Sequence, residues 1–334
     1  MPLTPSADDP AVASARRFGR GWGALRSIAS LLAQAIAVAF GVVTVTFLLT
    51  HVIPGDPARA VLGPSASPHA VDTLREQLHL NDPLPQQYWN FISEIAHGSL
   101  GASVGNSNQS VTGLIGESLE PTLVLIALTL LISVPLGIVI GLHAGTTRSR
   151  MTDLGLRAGT VVGLATPPFF LGSLLLLLLA LDLGIAPAGG WATGYPERLR
   201  FLWLPALTLS ALVTPIFARA VRQRAKVVMR ASFIEAASSR GISRRKIIVR
   251  HVLPNSALPA IVLIGINAGF LISGAVVVET LFGLPGLGSL LLNAVQSRNY
   301  PVVQGIAIVA GFFVVFCNFA ADVVIRAVDP RTRA

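Results

Sequence analysis

The chain has 334 residues, 52% of them hydrophobic and only 12% charged, with a mean hydropathy of +0.68. A soluble domain carries about 25% charged residues, so the composition excludes a water-exposed globular protein and indicates an integral membrane protein. The single cysteine, Cys317, excludes a disulfide framework or a multi-cysteine metal site, and the net charge of +9 is expected from Lys and Arg gathered in cytoplasmic loops rather than from a nucleic-acid partner.

Residues 1–27 are polar and carry Arg16, Arg17, Arg20 and Arg26, which predicts a cytoplasmic N-terminal segment. Residues 28–50 contain no charge and, at about 1.5 Å per helical residue, are long enough to span a bilayer core of about 30 Å. The basic-then-apolar order mimics a signal peptide, but the apolar run is too long and no clear cleavage region follows, so an uncleaved first span is expected. Residues 51–120 then form one long outer segment of helices and loops. Ser67 and Pro68 suit the N-cap and first position of a short helix through Leu78. Asp82 and Pro83 suit the same positions of a second helix carrying Tyr88, Trp89, Ile92 and Ile95, stopped at Gly98. Its aromatic residues fit the membrane interface and packing against the first span equally well.

Residues 121–334 are predicted to hold five further spans, approximately Pro121–Leu142, Arg157–Ala180, Phe201–Ala220, Ala257–Val278 and Val303–Ile325. Thr166-Pro167-Pro168 and Thr214-Pro215 predict bends in the third and fourth, because proline frees a backbone carbonyl. Asp322 and Arg326, four apart, are placed to pair. The fold class is therefore an all-α integral membrane protein with six transmembrane helices and both termini cytoplasmic. With that topology 20 of the 25 Lys and Arg lie inside: four before the first span, three between the second and third, ten between the fourth and fifth, and three at the C-terminal end.

The chemistry-bearing candidates are few. No G-x-x-x-x-G-K-[ST] phosphate loop occurs. Gly283, Gly286 and Gly288 have no strand before them, so turn and close-packing roles are expected rather than dinucleotide binding. Gly101–Gly105 fits G-x-S-x-G around Ser103. It lacks a strand–turn–helix setting, and the downstream histidines, His143 and His251, fall on the opposite face. No catalytic residue and no metal site is assigned. The cytoplasmic loop 219–256 carries ten basic residues against one acid, Glu235. Ser232 and Glu235 have capping-box spacing. Ala236 and Ala237 are expected as a small exposed pair that admits a close protein partner, Gly241 as a left-handed stop, and Ser243 as the cap of a second basic helix. Pro254 and Pro259 lead into the fifth span. Anionic lipid accounts for most of the arginines, but not for a small exposed pair beside a lone acid.

Glu235-Ala236-Ala237, Gly241 after three residues, and Leu253-Pro254 after a further eleven resemble the EAA loop of permease subunits of bacterial ABC importers. His251 departs from the family's usual Ile, and Arg250-His251 is similar to the dipeptide, oligopeptide and nickel importer subfamily. Pro54-Gly55-Asp56-Pro57 resembles the start of that subfamily's outer loop. Glu279 with Pro285, Gly286 and Gly288 resembles its segment after the fifth span, and Tyr300–Gly305 its sixth-span opening.

The resemblance implies a permease that handles di- or oligopeptides, with nickel and glutathione-like peptides as alternative cargo. It implies a bacterial inner-membrane location, a second homologous permease, an extracytoplasmic substrate-binding protein, and two cytoplasmic ATPases that hold the ATP and Mg, with no cofactor in this chain. By the same resemblance Glu235, Ala236, Ala237, Gly241, Leu253 and Pro254 belong to the ATPase-coupling joint. A secondary carrier driven by an ion gradient is the alternative; it requires ionisable residues at the bilayer midplane, and the span centres hold essentially none.

Overall fold

The computed structural model describes residues 30, 32–48, 57–62, 66–77, 79–103 and 109–328. Pro54, Gly55 and Asp56 lie outside this set, as do Val104 and Gly105. Among the described residues the regular structure is all helix, apart from one isolated antiparallel bridge, Ala102 to Ser110. Four short or apolar helices come first: α1 (Leu32–Leu48), α2 (Pro57–Leu62), α3 (Pro68–Gln77) and α4 (Leu84–Ala96). They are followed by α5 (Val111–Thr146), α6 (Arg150–Ala165) and α7 (Pro168–Leu175), the last extended by a π-helical turn to Asp182. Then come α8 (Glu197–Met229), α9 (Ser232–Ser239) and α10 (Arg244–Ile247), which passes through a π turn, Ile248–Val252, into α11 (Leu253–Phe282). The chain closes with α12 (Leu287–Gln296) and α13 (Tyr300–Val328).

Among the described residues four helical units are long and apolar enough to cross a membrane: α5, α8, α10–α11 and α13. The α6–α7 pair, bent by 99°, makes a fifth if it counts as one span. The expected third span, Arg157–Ala180, is thus two helices. Thr166 and Pro167 are both extended, and Pro167 and Pro168 lack the N–H groups that would carry the helix ladder across the break. Pro215, by contrast, sits inside α8, which runs on well past the expected Ala220.

The core is α5 packed on α8 and α11. Gly137, Gly141 and Gly145 form a stripe on α5 that meets α8 backbone to backbone. A methyl group built at Gly141 would lie 2.5 Å from the Ala218 carbonyl oxygen, and one at Gly145 would lie 2.6 Å from Ala225 Cβ. Small residues at four-residue spacing let membrane helices approach in this way. Gly265 of α11 sits equally close to Ala321 and to the Cys317 carbonyl of α13, and Gly311 of α13 to Val42 of α1.

The loop before α5 is tied down by local chemistry. The Ser67 hydroxyl accepts from Ala70 N–H, as expected of a cap. α4 begins one residue later than expected, with Pro83 rather than Asp82 at the cap position; the Asp82 carbonyl instead accepts from the Gln87 side chain. Gly98 ends α4 at φ +76, with Gly98 N–H on Ile95 and Ser99 N–H on Glu94. The α4 aromatics divide. Tyr88 bonds Thr44 of α1 at 2.6 Å and packs with Phe47, whereas Trp89 is 70% exposed.

Candidate functional site

The ten basic residues of the 219–256 loop gather at one end of the bundle, the basic end. α8 stops at Arg230, Ala231 is extended, and α9 begins at Ser232. Ala231 is therefore the N-cap, no side chain caps the helix, and the expected Ser232–Glu235 capping box is absent. The chain turns so sharply from α8 into α9 that Ser232 is already helical, which leaves its hydroxyl past the position where it could accept the free N–H groups. Glu235 nevertheless lies in the first turn, where the helix dipole favours a carboxylate.

α9 buries Ile234 and Ala237, one helical turn apart, and exposes Ser232, Phe233, Glu235 and Ala236. The expected exposed Ala236–Ala237 pair is corrected on this point. Only Ala236 faces outward, while Ala237 enters an apolar cluster with Ala225 and Val228 of α8, Ile247 of α10 and Val252. Ala237 lies three residues after the buried Ile234, on the same side of the helix, and so is carried inward with it. The helix ends as expected at Gly241, with φ +74. Gly241 N–H donates to Ser238 and Ile242 N–H to Ala237, while the Ile242 side chain packs on the same cluster. Ser243 occupies the N-cap of α10 without a side-chain bond. The second basic helix is not separate from the fifth span: α10 continues through the π turn into α11, with Leu253 half-buried and Pro254 exposed in the first turn of α11.

Two polar clamps fasten this joint to the bundle. The Arg244 guanidinium donates to the Thr146 carbonyl, one of the free acceptors at the C-terminus of α5. Asp153, in the first turn of α6, receives two bonds from Arg222 of α8, at 2.8 and 2.9 Å, one from Lys226 at 3.2 Å and one from Arg157 at 2.6 Å. Sequence reasoning passed over Asp153. The available signal was a lone acid among Arg148, Arg150 and Arg157.

At the opposite end, the residues of the segment after the fifth span converge on α12. The N-cap of α12 is Gly286, which has no side chain to offer. Glu279, fully buried in the last turns of α11, replaces it by accepting from Gly288 N–H at 2.7 Å and Ser289 N–H at 3.4 Å. Thr122 of α5 donates to the other carboxylate oxygen at 2.6 Å and accepts from Leu287 N–H at 2.8 Å. Gly286 and Gly288 leave no room for a methyl group: one built at Gly286 would fall 2.3 Å from the Glu279 carboxyl carbon, and one at Gly288 the same distance from Val276 Cα. Their expected close-packing role is present. Pro285 is exposed beside them, and Pro57 is the first residue of α2.

Nearby, Arg198 bonds Glu120 at 2.7 Å and lies over the rings of Trp191 and Tyr195. The Tyr195 hydroxyl also donates to Glu120, which pushes its pKa up. Ser103 of the G-x-S-x-G sequence accepts from the Asn299 amide at 2.8 Å and is buried. It anchors a loop in this arrangement. Among the described residues no group of His, Cys, Asp and Glu could hold a metal ion.

Comparison with known proteins matches both halves of the chain. Residues 133–334 match the family described as binding-protein-dependent transport system inner membrane component, and residues 24–136 match its N-terminal membrane component. A Brucella ovis protein named "Putative peptide permease protein" is 34% identical over 294 residues, covering 86% of this chain and 92% of its own. The glutathione transport system permease protein GsiC of Salmonella typhimurium is 34% identical over 293 residues, with 87% and 94% covered. GsiC of Escherichia coli O6:H1 is 34% identical over 298 residues, with 89% and 95% covered. The chain belongs to the inner membrane components of binding-protein-dependent ABC transport systems and is a multi-pass, non-catalytic permease.

Proposed function

We propose that this permease forms the translocation pathway of an importer together with a second, homologous permease, and that the exposed face of α9 seats on one of two cytoplasmic ATPases. The observation that carries the proposal is α9 itself. It is a short helix bolted to the bundle by its buried face, and it presents Phe233, a carboxylate and Ala236 outward at the most basic end of the molecule. That end is cytoplasmic by the distribution of Lys and Arg. With residues 28–50 as the first span and α6–α7 as one broken span, the chain crosses six times and both termini lie inside.

ATP and Mg sit on the ATPases. Closure of the ATPase dimer draws the docking helices together and favours an outward-facing state, to the extent that ATP binds that state more tightly. Cargo arrives from an extracytoplasmic binding protein that meets residues 51–120 and the end of the bundle that holds α12 and the Glu279 cap. The names of the relatives favour a di- or oligopeptide or glutathione-like cargo over nickel. Family membership sets aside an ion-driven carrier.

Glu235→Ala removes the only acid of the docking face. Gly241→Pro forces φ near −65° where the chain needs +74°. Each variant is expected to insert normally and to lose uptake of labelled glutathione and labelled dipeptide by cells carrying the complete transporter, with insertion followed by immunoblot. Wild-type uptake in either variant removes the coupling assignment.

A further inference from the structure

α6 is held unlike the other long helices. It buries no side chain completely. Methyl groups built at Gly155 and Gly159 meet nothing within 4 Å, and these glycines with Gly163 form one wall of a cavity of about 520 Å3. Leu136 and Ile140 of α5, Leu171 and Leu175 of α7, and Ser210 and Thr214 of α8 form the others.

Two of the contacts between α6 and α8 bracket this space. Near the bend, Gly163 rests on Pro215. At the basic end, the Asp153 carboxylate is gripped by Arg222 and Lys226. Asp153 and Arg222 are only 15% and 17% exposed, and their two-bond fork fixes orientation as well as distance, which sliding apolar contact does not.

The grip lies on the route from the docking helix. Ile234 and Ala237 of α9 pack on Ala225 and Val228 of α8. Arg222 and Lys226 stand on the same last turns of α8 as those two residues and reach across to Asp153. Beyond Asp153, Gly155 and Gly159 meet no neighbour and Gly163 rests on Pro215, close to the bend at Thr166-Pro167 where the helix ladder is already broken.

We propose that Asp153 is the positioning residue that makes α6 follow the docking helix. The carboxylate pins the first turn of α6 to the end of α8. A displacement of α9 therefore travels through α8 to the bent α6–α7 pair, and the cavity gives α6 room to swing about Thr166-Pro167. The proposal rests on the reading of α9 as the ATPase joint, and the experiment separates the two.

The complete transporter is purified through this chain, placed in lipid nanodiscs, and its ATP hydrolysis measured with and without its binding protein as that protein is isolated. In the wild type the binding protein raises hydrolysis about fivefold or more, the lower range of an ordinary coupling between sites. In Asp153→Asn basal hydrolysis persists but the ratio falls to about 1, because the outer and inner ends no longer move together. Asp153→Glu restores the ratio, which loss of general stability would not explain. Three cations left without their carboxylate repel. If Asp153→Asn does not assemble, the double variant Asp153→Asn/Lys226→Gln carries the same expectation with less repulsion. A wild-type ratio in whichever of these two assembles overturns the proposal, as does failure of Asp153→Glu to restore it. Glu235→Ala is the control. If it keeps the ratio, the docking reading fails; if it loses the ratio while Asp153→Asn keeps it, only the role of Asp153 fails.

Discussion

Two glycine stripes with the same spacing lie one after the other in the chain, and their surroundings are opposite. Gly137, Gly141 and Gly145 of α5 are pressed against the backbone of α8, whereas Gly155 and Gly159 of α6 face open space and only Gly163 touches a neighbour. Sequence pattern alone does not separate them. What separates them is the bend at Thr166-Pro167, which turns α7 away by 99°, and the polar clamp at Asp153, which holds α6 by one end. The α5 stripe makes a tight seam, and two of the three glycines of the α6 stripe have no neighbour. A transporter needs both: a bundle that transmits force and a segment that yields to it.

Substitution of one glycine from each stripe tests the contrast most severely. Gly141→Leu would drive a side chain into the Ala218 carbonyl and Val221, neither of which can withdraw without parting α5 from α8. A cost of about 3 kcal/mol or more is expected, seen as loss of folded protein on size-exclusion chromatography in detergent. Toward the other end of α5, Glu279→Ala removes the buried acceptor of the Thr122 hydroxyl and of the Gly288 and Ser289 N–H groups. A loss of about 3 kcal/mol is expected, read as a lowered thermal unfolding midpoint. An unchanged midpoint would mean that the carboxylate does not hold α12. The smallest effect on stability is expected from Gly159→Leu. Open space receives the side chain, and replacing glycine in a helix interior gains up to about 1 kcal/mol. The protein should therefore be as stable as wild type or slightly more so, while uptake falls because the space for α6 is filled. If Gly159→Leu were as damaging to folding as Gly141→Leu, the contrast between the stripes would collapse.

The candidate joint was legible where its signals are local. Gly241 is left-handed because a helix must stop there before a second begins, and the bonds from Gly241 and Ile242 are made within the same few residues. Ser67 capping α3 and Gly98 closing α4 are of the same kind. The joint was illegible where a distant partner decides. Whether Ala237 is exposed depends on Ala225, Val228 and Val252 arriving beneath it. Ser232 missed its capping role because the geometry of the turn out of α8, rather than its own chemistry, places the start of α9. The Asp153 clamp joins residues 69 and 73 positions apart, a pairing no local pattern announces.

By itself the sequence determined the membrane class, the apolar runs that become α5, α8, α11 and α13, the basic loop between α8 and α11, and the order of motifs from Glu235 to Pro254 and from Glu279 to Gly288. These follow from hydropathy and from chemistry confined to a few neighbouring residues, and both survive in a linear reading. Only the tertiary structure decided that the expected third span is two helices, that α12 exists and is capped by a carboxylate from α11 and a hydroxyl from α5, that Glu235 and Ala236 rather than both alanines face outward, and that Asp153 ties α6 to α8. Each depends on which face of a helix finds a partner, and burial of a face or of a charge is settled by groups far away in the chain.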